Sequence, residues 1–305
     1  MQPRNSTSAV AKSAPSSVGT SAASSVGAAP LSAGTSAPSS VGNPFSLWGK
    51  SWLIWRITRR QLASVAHLAR GRAVDIGCGE QPLRTVFAGR VDSTVGLDHP
   101  RMLHPDDQVG VFGTALSLPF RPDAFGTAIC FQVLEHVPEP EQLLREAFRV
   151  LEPGGHLFLT APHIWNEHEI PHDYYRYTRY GLAYLLKKVG FEVVEVRPMA
   201  GFFVTAGARF CYFLAHFDRW GLQIAVRPLY FLVQAGAMVL DRIYCDTTEC
   251  WNFLAVARKP SRAAVDVGAS HRTADRPEAD SGPAAVARTS AGAAAGSGAA
   301  AVRHT

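Results

Sequence analysis

The sequence predicts an α/β domain built on a doubly wound, seven-stranded sheet, with helices on both faces and a helical insertion between the sixth and seventh strands. Short apolar runs alternate with amphipathic helical segments along the chain. The first run ends in a turn with two glycines, Gly77 and Gly79, and the second ends in an acid, Asp98. Ligands of such sheets bind at the carboxyl ends of the strands.

The predicted strands are short apolar segments bounded by turns or helices. They cover residues 73–76, 94–98, 109–112, 127–131, 157–160, 191–196 and 251–257. Residues 141–151 are predicted to form a helix because their apolar side chains recur on one face, with Pro153-Gly154-Gly155 as its stop. A second helix is predicted from Thr178 to Gly190, a residue type that favours helix C-termini.

Composition separates a central domain from its flanks. Residues 1–43 and 260–305 are rich in Ser, Ala and Gly and lack apolar periodicity, which predicts a disordered leader and a disordered tail. N-terminal amphipathic or lid helices are predicted for residues 44–70. The main domain is predicted for residues 71–259, with the hydrophobic helical insertion at residues 201–243.

Bulk composition also excludes some classes of function. The five cysteines are an odd number, without a CxxC pair or a His partner at zinc-finger spacing, which favours a reduced, cytosolic compartment and predicts no metal site. The formal net charge of +5 comes without a long basic run or a nucleic-acid-binding module. No nucleic-acid partner is therefore expected.

The ends of the first two strands predict a nucleoside site. The turn Asp75-Ile76-Gly77-Cys78-Gly79 lets the backbone approach a ligand closely, and Asp98 can accept hydrogen bonds from ribose hydroxyls. A dinucleotide fingerprint would require a third glycine where this chain has Pro82. A pyrophosphate cradle is therefore disfavoured, and a phosphate-free nucleoside such as S-adenosylmethionine is favoured.

Five segments together resemble the type 11 branch of the Rossmann-like class I methyltransferases. They are residues 73–82, 95–98, 116–120, 132–137 and 149–155, in the order and at the spacing of that family. The resemblance implies an enzyme that uses S-adenosylmethionine for methylation. The GCGxxP variant of the glycine turn is similar to that of members associated with cell-surface glycans.

The resemblance also implies which residues bind the cofactor. The turn of the first motif, with Asp75, Gly77, Cys78 and Gly79, would hold the methionine end and the ribose, and Asp98 the ribose hydroxyls. The other implied cofactor residues are Thr114, Ala115 and Gln132, the last near the methionine ammonium and the transferring methyl. Thr114 and Ala115 depart from the family, which usually has an acid on the adenine amine; a Thr hydroxyl lacks that charge.

A loop rich in His, Asp, Tyr and Arg follows the fifth strand, at residues 163–182. It resembles a loop that the glycan-associated subgroup carries on the acceptor side. His172 or His163 would then act as the base that removes a proton from an acceptor hydroxyl, with Asp173 as a third candidate catalytic residue. The alternative is a solvated loop held by its own polar pairs.

Two apolar regions suggest contact with a membrane. Three tryptophans within residues 44–60 lie close to helical spacing among basic residues, as in an interfacial helix, but an ordinary lid helix is equally compatible. Residues 201–240 are largely apolar, in pieces each too short to span a bilayer. Peripheral contact at the inner face of the cell membrane by a cytoplasmic protein is one prediction. The alternatives are cap packing and a dimer interface.

The function predicted is methyl transfer by in-line displacement from S-adenosylmethionine to a small-molecule, glycan or lipid-linked acceptor, with O-methylation preferred. One rival is another enzyme on the same nucleoside fold, such as an aminopropyl transferase, which would need carboxylates near the acceptor amine. The other is a catalytically silent S-adenosylmethionine-binding scaffold or membrane-associated partner protein. Cofactor binding together with turnover would discriminate the three.

Overall fold

A computed structural model describes residues 46–79, 83–100, 109–220 and 222–261. The predicted leader at residues 1–43 lies outside the described residues, as does the predicted tail beyond residue 261.

One seven-stranded sheet organises the domain, as predicted. Its strands are β1 Arg72–Ile76, β2 Ser93–Asp98, β3 Val111–Phe112, β4 Phe125–Phe131, β5 Leu151–Pro162, β6 Glu192–Pro198 and β7 Asn252–Arg258. Their order across the sheet is β3-β2-β1-β4-β5-β7-β6. β7 runs antiparallel to both of its neighbours, and the other neighbouring pairs are parallel. The carboxyl ends of β1, β2, β3, β4 and β5 therefore meet at one edge.

Alternating side chains of the central strands supply cores on both faces of the sheet. In β4, Ala128 and Cys130 pack into one core, while Ile129 packs into the other. In β5, Leu157 and Phe158 divide in the same way. Burial on both faces explains why these strands read as continuous apolar runs in the sequence.

Two predicted helices are confirmed, the second with both of its predicted end residues. They are α2 Pro140–Val150 and α3 Arg179–Val189. The Thr178 hydroxyl accepts a hydrogen bond from the Gly181 amide at 3.0 Å, which satisfies one of the unpaired N–H groups of the first turn of α3. Gly190 ends the helix in the left-handed region, with φ 112°.

α2 ends before Pro153-Gly154-Gly155, as predicted, but these residues do not form a separate turn. β5 already begins at Leu151 and runs through Pro153-Gly154-Gly155, with a register irregularity against β4. A Cβ on Gly155 would lie 2.9 Å from the Glu152 carbonyl oxygen and 3.1 Å from that of Gly126. The segment is therefore a tightly packed irregular entry into the strand, and the glycine serves close backbone approach.

The N-terminal flank forms α1 Trp52–Val65, which packs its apolar face onto the domain. Leu53 and Leu62 are fully buried, whereas Arg59 and Arg60 are exposed. Trp48 is 53% exposed, but Trp52 is buried. The apolar side of this helix is thus occupied by protein, as expected of a lid helix.

The predicted insertion is a helical hairpin between β6 and β7. It consists of α4 Phe202–Leu214, a short 3₁₀ segment and α5 Gln223–Ile243. The two helices approach closely, since a Cβ on Gly207 would lie 2.8 Å from the Ala237 Cβ. α5 is docked on the start of α1: the Gln234 Oε1 accepts from the Leu53 amide at 2.8 Å, and its Nε2 donates to the Gly49 carbonyl at 3.1 Å.

The length of α5 corrects the sequence-based expectation of short apolar pieces. The helix is continuous over 21 residues, with Pro228 inside it. Pro228 is the sixth residue of α5, so it removes the hydrogen bond that this position would otherwise donate to the Ile224 carbonyl, yet the helix continues through it. Within the described residues, α5 is the one helix whose length and apolar composition would suffice to cross a membrane.

Candidate functional site

The turn after β1 requires glycine at Gly77. Its φ is +68°, and a Cβ there would lie 2.4 Å from a methyl carbon of Val133. The amides of Gly77 and Cys78 both donate to the Leu97 carbonyl, at 2.8 and 3.1 Å, which fixes the turn against the end of β2. Cys78 is buried. The glycine is therefore needed by the protein's own packing.

Asp98 closes the next strand and faces the same turn. Its Oδ2 accepts from the Gly79 amide at 2.8 Å, and its Oδ1 accepts from the His99 amide at 2.7 Å. Gly79 has φ +46°, and no described atom lies within 4 Å of the position of its missing Cβ. Each carboxylate oxygen can accept a further hydrogen bond, so Asp98 can hold the two hydroxyls of a ribose beside an open glycine turn.

Asp75 is a buried acid near the carboxyl end of β1. Burial raises the pKa of its carboxyl to about 7, and the nearby Asp98 charge adds to the increase while Arg84 opposes it. A carboxyl in this state gains from a cationic ligand, because a positive charge compensates for the loss of water around the ionised form.

Gln132 follows β4 in a strained backbone conformation. It is not a glycine, yet its φ is +56°. Its amide donates to the Thr160 carbonyl and its Nε2 to the Thr160 hydroxyl, both at 3.1 Å. Such strain is concentrated at functional sites, where surrounding contacts enforce it. The side chain is held at the junction of β4 and β5, and β1 is the other neighbour of β4 in the sheet.

Thr114 and Ala115 follow β3 at the far side of the same edge. The Gly113 amide donates to the Asp98 carbonyl at 2.9 Å, which joins this segment to β2. The Thr114 hydroxyl accepts from the Leu116 amide at 3.2 Å and remains exposed, and Ala115 packs against the core. A hydroxyl and backbone groups thus stand where the family usually has an acid.

The His-rich loop after β5 is fastened to the segment that follows β4. Three tyrosines contribute hydrogen bonds between them: the Tyr174 amide to the Glu135 carbonyl at 2.9 Å, the Tyr175 hydroxyl to the Pro138 carbonyl at 2.9 Å, and the Tyr177 hydroxyl to the Leu134 carbonyl at 3.0 Å. The loop therefore lies against the segment that follows Gln132.

The three predicted catalytic residues occupy different environments within the loop. His172 is exposed, with its Nδ1 at 3.1 Å from the Tyr174 hydroxyl. His163 is half-buried against the Phe253 ring, with a centroid distance of 5.3 Å. No described hydrogen bond joins the two histidines. Whether His172 or His163 acts as the base stays a prediction.

Asp173 is held in an ion pair inside the loop. Its two carboxylate oxygens accept from the Arg176 guanidinium at 2.7 and 2.6 Å, and the His168 amide donates to it at 2.9 Å. The Arg176 pair holds the pKa of Asp173 well below its usual range. Its side chain is 3% exposed. The structure gives Asp173 an anchoring position, and its catalytic role stays a prediction.

Comparison with known proteins identifies the domain. Residues 74–159 match the family model described as "Methyltransferase domain" of type 11. The chain carries a class I methyltransferase domain. Its cofactor is S-adenosylmethionine, and its place in the glycan-associated subgroup stays a prediction.

Curated relatives of the methyltransferase domain are similar over part of their length. The ubiquinone biosynthesis O-methyltransferase of Ralstonia nicotianae is 30% identical over 173 residues, which cover 48% of this chain and 66% of the relative. The protein of the same name from Pseudomonas fluorescens is 29% identical over 106 residues, 31% of this chain and 46% of the relative. The chain thus spans about half to two thirds of the length of these relatives.

Solved structures are similar at low identity. An S-adenosylmethionine-dependent methyltransferase from Mesorhizobium loti has a TM-score of 0.43 and 20% identity, covering 70% of this chain and 100% of that one. The YcgJ protein from Bacillus subtilis has a TM-score of 0.44 and 14% identity, covering 68% of this chain and 99% of that one.

The residues of the methyltransferase domain fit S-adenosylmethionine. The open glycine turn at Gly79 leaves room for a ligand next to the Asp98 carboxylate. The buried Asp75 offers a carboxyl that gains from a cation, and the cofactor carries an ammonium and a sulfonium. Asp75 and Asp98 lie close enough to influence each other electrostatically, as two acids of one cofactor site would.

Sequence reasoning missed a second group of polar residues beside this site. Glu135 is fully buried, and neither of its carboxylate oxygens has a hydrogen-bond partner among the described residues. Burial raises the pKa of Glu135 to about 8. His136 and His168 lie next to it. Glu135 and His136 are adjacent in the sequence after β4. His168 lies in a different loop, so no short sequence motif joins the three residues.

Proposed function

We propose that the protein is an O-methyltransferase, which transfers a methyl group from S-adenosylmethionine to a hydroxyl of a small-molecule, glycan or lipid-linked acceptor. The observation that carries the proposal is the attachment of the His-rich loop to the segment after β4. Three tyrosines take part in this attachment, which fastens the loop that carries His163 and His172 to the segment that follows Gln132, the residue expected near the transferring methyl.

The bound cofactor supplies an already activated methyl group on a sulfonium. The protein's part is therefore to bind and orient, to exclude water and to manage one proton. Asp98 would hold the ribose, and Asp75 would compensate the charge of the ammonium. His172 takes the proton of the acceptor hydroxyl, because an oxygen nucleophile must lose it as the new bond forms. His163 is the competing candidate for the same task.

An oxygen acceptor is supported by the relatives. The proteins from Ralstonia nicotianae and Pseudomonas fluorescens are named O-methyltransferases of ubiquinone biosynthesis. Their names support oxygen as the acceptor atom, and the glycan or lipid-linked nature of the acceptor rests on the resemblance of the loop.

Labelled-methyl transfer to cell-envelope extract tests the proposal. The full-length protein is incubated with methyl-labelled S-adenosylmethionine, and cofactor binding is measured separately by calorimetry. Label in an alkali-stable methyl ether supports O-methylation. Binding without any turnover would instead favour a catalytically silent scaffold. Release of the label in methylthioadenosine, with none in the acceptor, would favour the other enzyme class, because transfer of the propyl chain leaves the methyl group on sulfur.

We further propose that the hairpin of α4 and α5 touches a membrane surface, with the protein at the cytoplasmic, inner face of the cell membrane. Ile224, Leu232 and Ile243 are 91%, 64% and 76% exposed and recur along one side of α5. Phe210 and Phe213 add exposed aromatic rings from α4. Exposed apolar patches of this kind mark interaction sites.

An in-plane arrangement fits this hairpin better than a spanning one. Gln234, on the opposite side of α5, is buried and hydrogen-bonded to the start of α1, and Asp241 accepts from the Gly201 amide at 2.8 Å and the Phe203 amide at 3.1 Å. A spanning α5 would lose these partners and place an amide and a carboxylate near lipid. Arg227 and Arg242 are exposed and suit anionic headgroups.

Vesicle sedimentation tests the membrane contact. The wild-type protein should sediment with vesicles of phosphatidylglycerol and phosphatidylcholine, and the double variant Ile224→Glu/Leu232→Glu should stay in the supernatant. Val194→Glu is the matched control, because Val194 is 50% exposed on β6, away from the hairpin. A wild-type protein that ignores vesicles but dimerises through the same residues would replace this proposal with a dimer interface.

A further inference from the structure

Four groups that can ligate a metal converge between the segment after β4 and the His-rich loop. Glu135, His136 and His168 each present one ligand atom, and these atoms lie within 4.8 Å of one another. The Glu169 carboxylate is the fourth group, 3.7 Å from the His136 Nε2. Glu135 is 0% exposed and His136 is 13% exposed, so the inner half of the cluster is shielded from water.

Hydrogen bonds orient both histidine rings toward the cluster. The His136 Nδ1 lies 2.8 Å from the His172 carbonyl oxygen. A carbonyl can only accept, so this nitrogen carries the proton, and the Nε2 of the neutral ring presents a lone pair. The His168 Nδ1 similarly lies 3.3 Å from the Asn166 carbonyl and 3.4 Å from the Asp173 carboxylate. Metal-binding histidines are held in this way, through the ring nitrogen that does not bind the metal.

The acceptor atoms at the centre of the cluster are unsatisfied within the described part of the chain. The Glu135 carboxylate oxygens and the His136 Nε2 are all buried without a hydrogen-bond partner in the part of the chain that the structure describes. The Glu135 Oε1 lies 3.9 Å from the His136 Nε2. Arg176 is close enough to influence Glu135, but its guanidinium donates to Asp173 and to backbone carbonyls. Buried acceptors that face each other without a proton or a cation are costly.

We propose that this cluster binds one divalent transition-metal ion of the zinc class, through a carboxylate oxygen of Glu135 and the Nε2 atoms of His136 and His168, with Glu169 at its open side. Two imidazoles with carboxylates suit zinc or iron(II) better than magnesium or calcium, which prefer oxygen ligands alone. The ion would join the segment after β4 to the His-rich loop.

The spacing of the cluster is compatible with such an ion. Zinc lies about 2.0 to 2.2 Å from nitrogen and oxygen ligands, so tetrahedral ligand atoms are separated by about 3.4 Å. The separations of 3.7 and 3.9 Å around the His136 Nε2 need only small contractions. The sequence predicted no metal site, because β5 separates the ligands along the chain and they do not form a short spacing motif.

Metal titration of the full-length protein tests the proposal. The protein is dialysed against a chelator, the chelator is removed, and Zn²⁺ and Co²⁺ are titrated with calorimetry, elemental analysis and visible absorption as readouts. We expect one equivalent of metal, absorption bands from bound Co²⁺, and a higher melting temperature with Zn²⁺. S-adenosylmethionine binding is measured in parallel, so that the metal site and the proposed methyl transfer succeed or fail separately.

Variants decide whether this cluster is the site. Glu135→Gln, His136→Gln and His168→Gln should each weaken binding by roughly 100-fold or more and abolish the Co²⁺ bands. His67→Gln is the control, because His67 is exposed beside α1 and bonds only to the Ser64 carbonyl. Glu135→Gln keeps the shape of the side chain, and circular dichroism checks that each variant is folded.

The opposite results would overturn the metal site. They are the absence of a one-equivalent binding step in folded wild-type protein, or folded cluster variants that bind Zn²⁺ as well as His67→Gln does. In either case the Glu135 carboxyl is buried in its protonated form, and the cluster only fastens the loop.

Discussion

The cofactor edge and the acceptor side of this domain are built in different ways. At the cofactor edge, the backbone itself shapes the predicted site. Gly77 and Gly79 have positive φ, and amides of the turn donate to Leu97 and Asp98. On the acceptor side, side chains fasten distant segments to each other, as Tyr175 and Tyr177 do between the His-rich loop and the segment after β4.

This difference predicts different consequences of mutation. A strand-end turn has few alternative conformations, so substitutions there should act on cofactor affinity. A loop that is held by a few side chains keeps its position when its other residues are substituted. Substitutions on the acceptor side should therefore change turnover and leave cofactor affinity nearly unchanged. Four predictions test this contrast, from the largest effect to the smallest.

Gly77→Val should abolish measurable S-adenosylmethionine binding. A β-branched side chain at φ +68° is strained, and its Cβ would displace the Val133 side chain, which lies 2.4 Å from that position. Calorimetry measures the binding and circular dichroism the fold. Gly236→Ala is the control, because its added Cβ would meet no described atom within 4 Å. A folded Gly77→Val protein with wild-type affinity would make the turn a structural feature alone.

His172→Ala should lower turnover by about 10²- to 10⁴-fold, with cofactor affinity nearly unchanged. The reason is that a base acts on the acceptor hydroxyl and does not contact the sulfonium. Initial rates at saturating cofactor test this, and His163→Ala is the competing variant. Full activity in both variants would eliminate a histidine base and leave orientation alone as the source of the rate.

Asp98→Ala should weaken S-adenosylmethionine binding by roughly 1.5 to 3 kcal/mol, because it removes charge-assisted hydrogen bonds to the ribose. The structure adds a second reason: Asp98 also accepts from the Gly79 amide and so holds the turn. Asp98→Asn keeps an acceptor for that amide but loses the charge. An intermediate loss in Asp98→Asn would separate the two contributions, and an unchanged dissociation constant in Asp98→Ala would remove the residue from the site.

Cofactor affinity should increase with pH through the titration of Asp75. Burial raises the pKa of this carboxyl to about 7 in the free protein, so below pH 7 it is mostly protonated and cannot compensate a cation. Affinity should rise about tenfold between pH 6 and pH 8 and then level off. Asp75→Asn should remove this increase of cofactor affinity with pH. A wild-type affinity that is constant over this range would mean that Asp75 does not respond to the cofactor's charge.

Local patterns carried most of the prediction of the cofactor edge. The strand ends at Ile76 and Asp98, the cap at Thr178 and the terminator at Gly190 all followed from nearby residues, and the structure confirms these elements. Apolar periodicity and helix capping are short-range properties, which is why they could be read directly. Pro153-Gly154-Gly155 was predicted only as a helix stop, because the same residue types serve both turns and the close backbone packing found at the start of β5.

The sequence by itself determined the order of the elements, the seven-stranded sheet and the cofactor of its methyltransferase domain, because these depend on short motifs at strand ends. Only the tertiary structure decided that Glu135 and His136 meet His168, that α1 is covered by protein, and that α5 runs unbroken with one side docked and one side exposed. These features join segments far apart in the chain. Their formation depends on how the strands and helices pack, which no local pattern specifies.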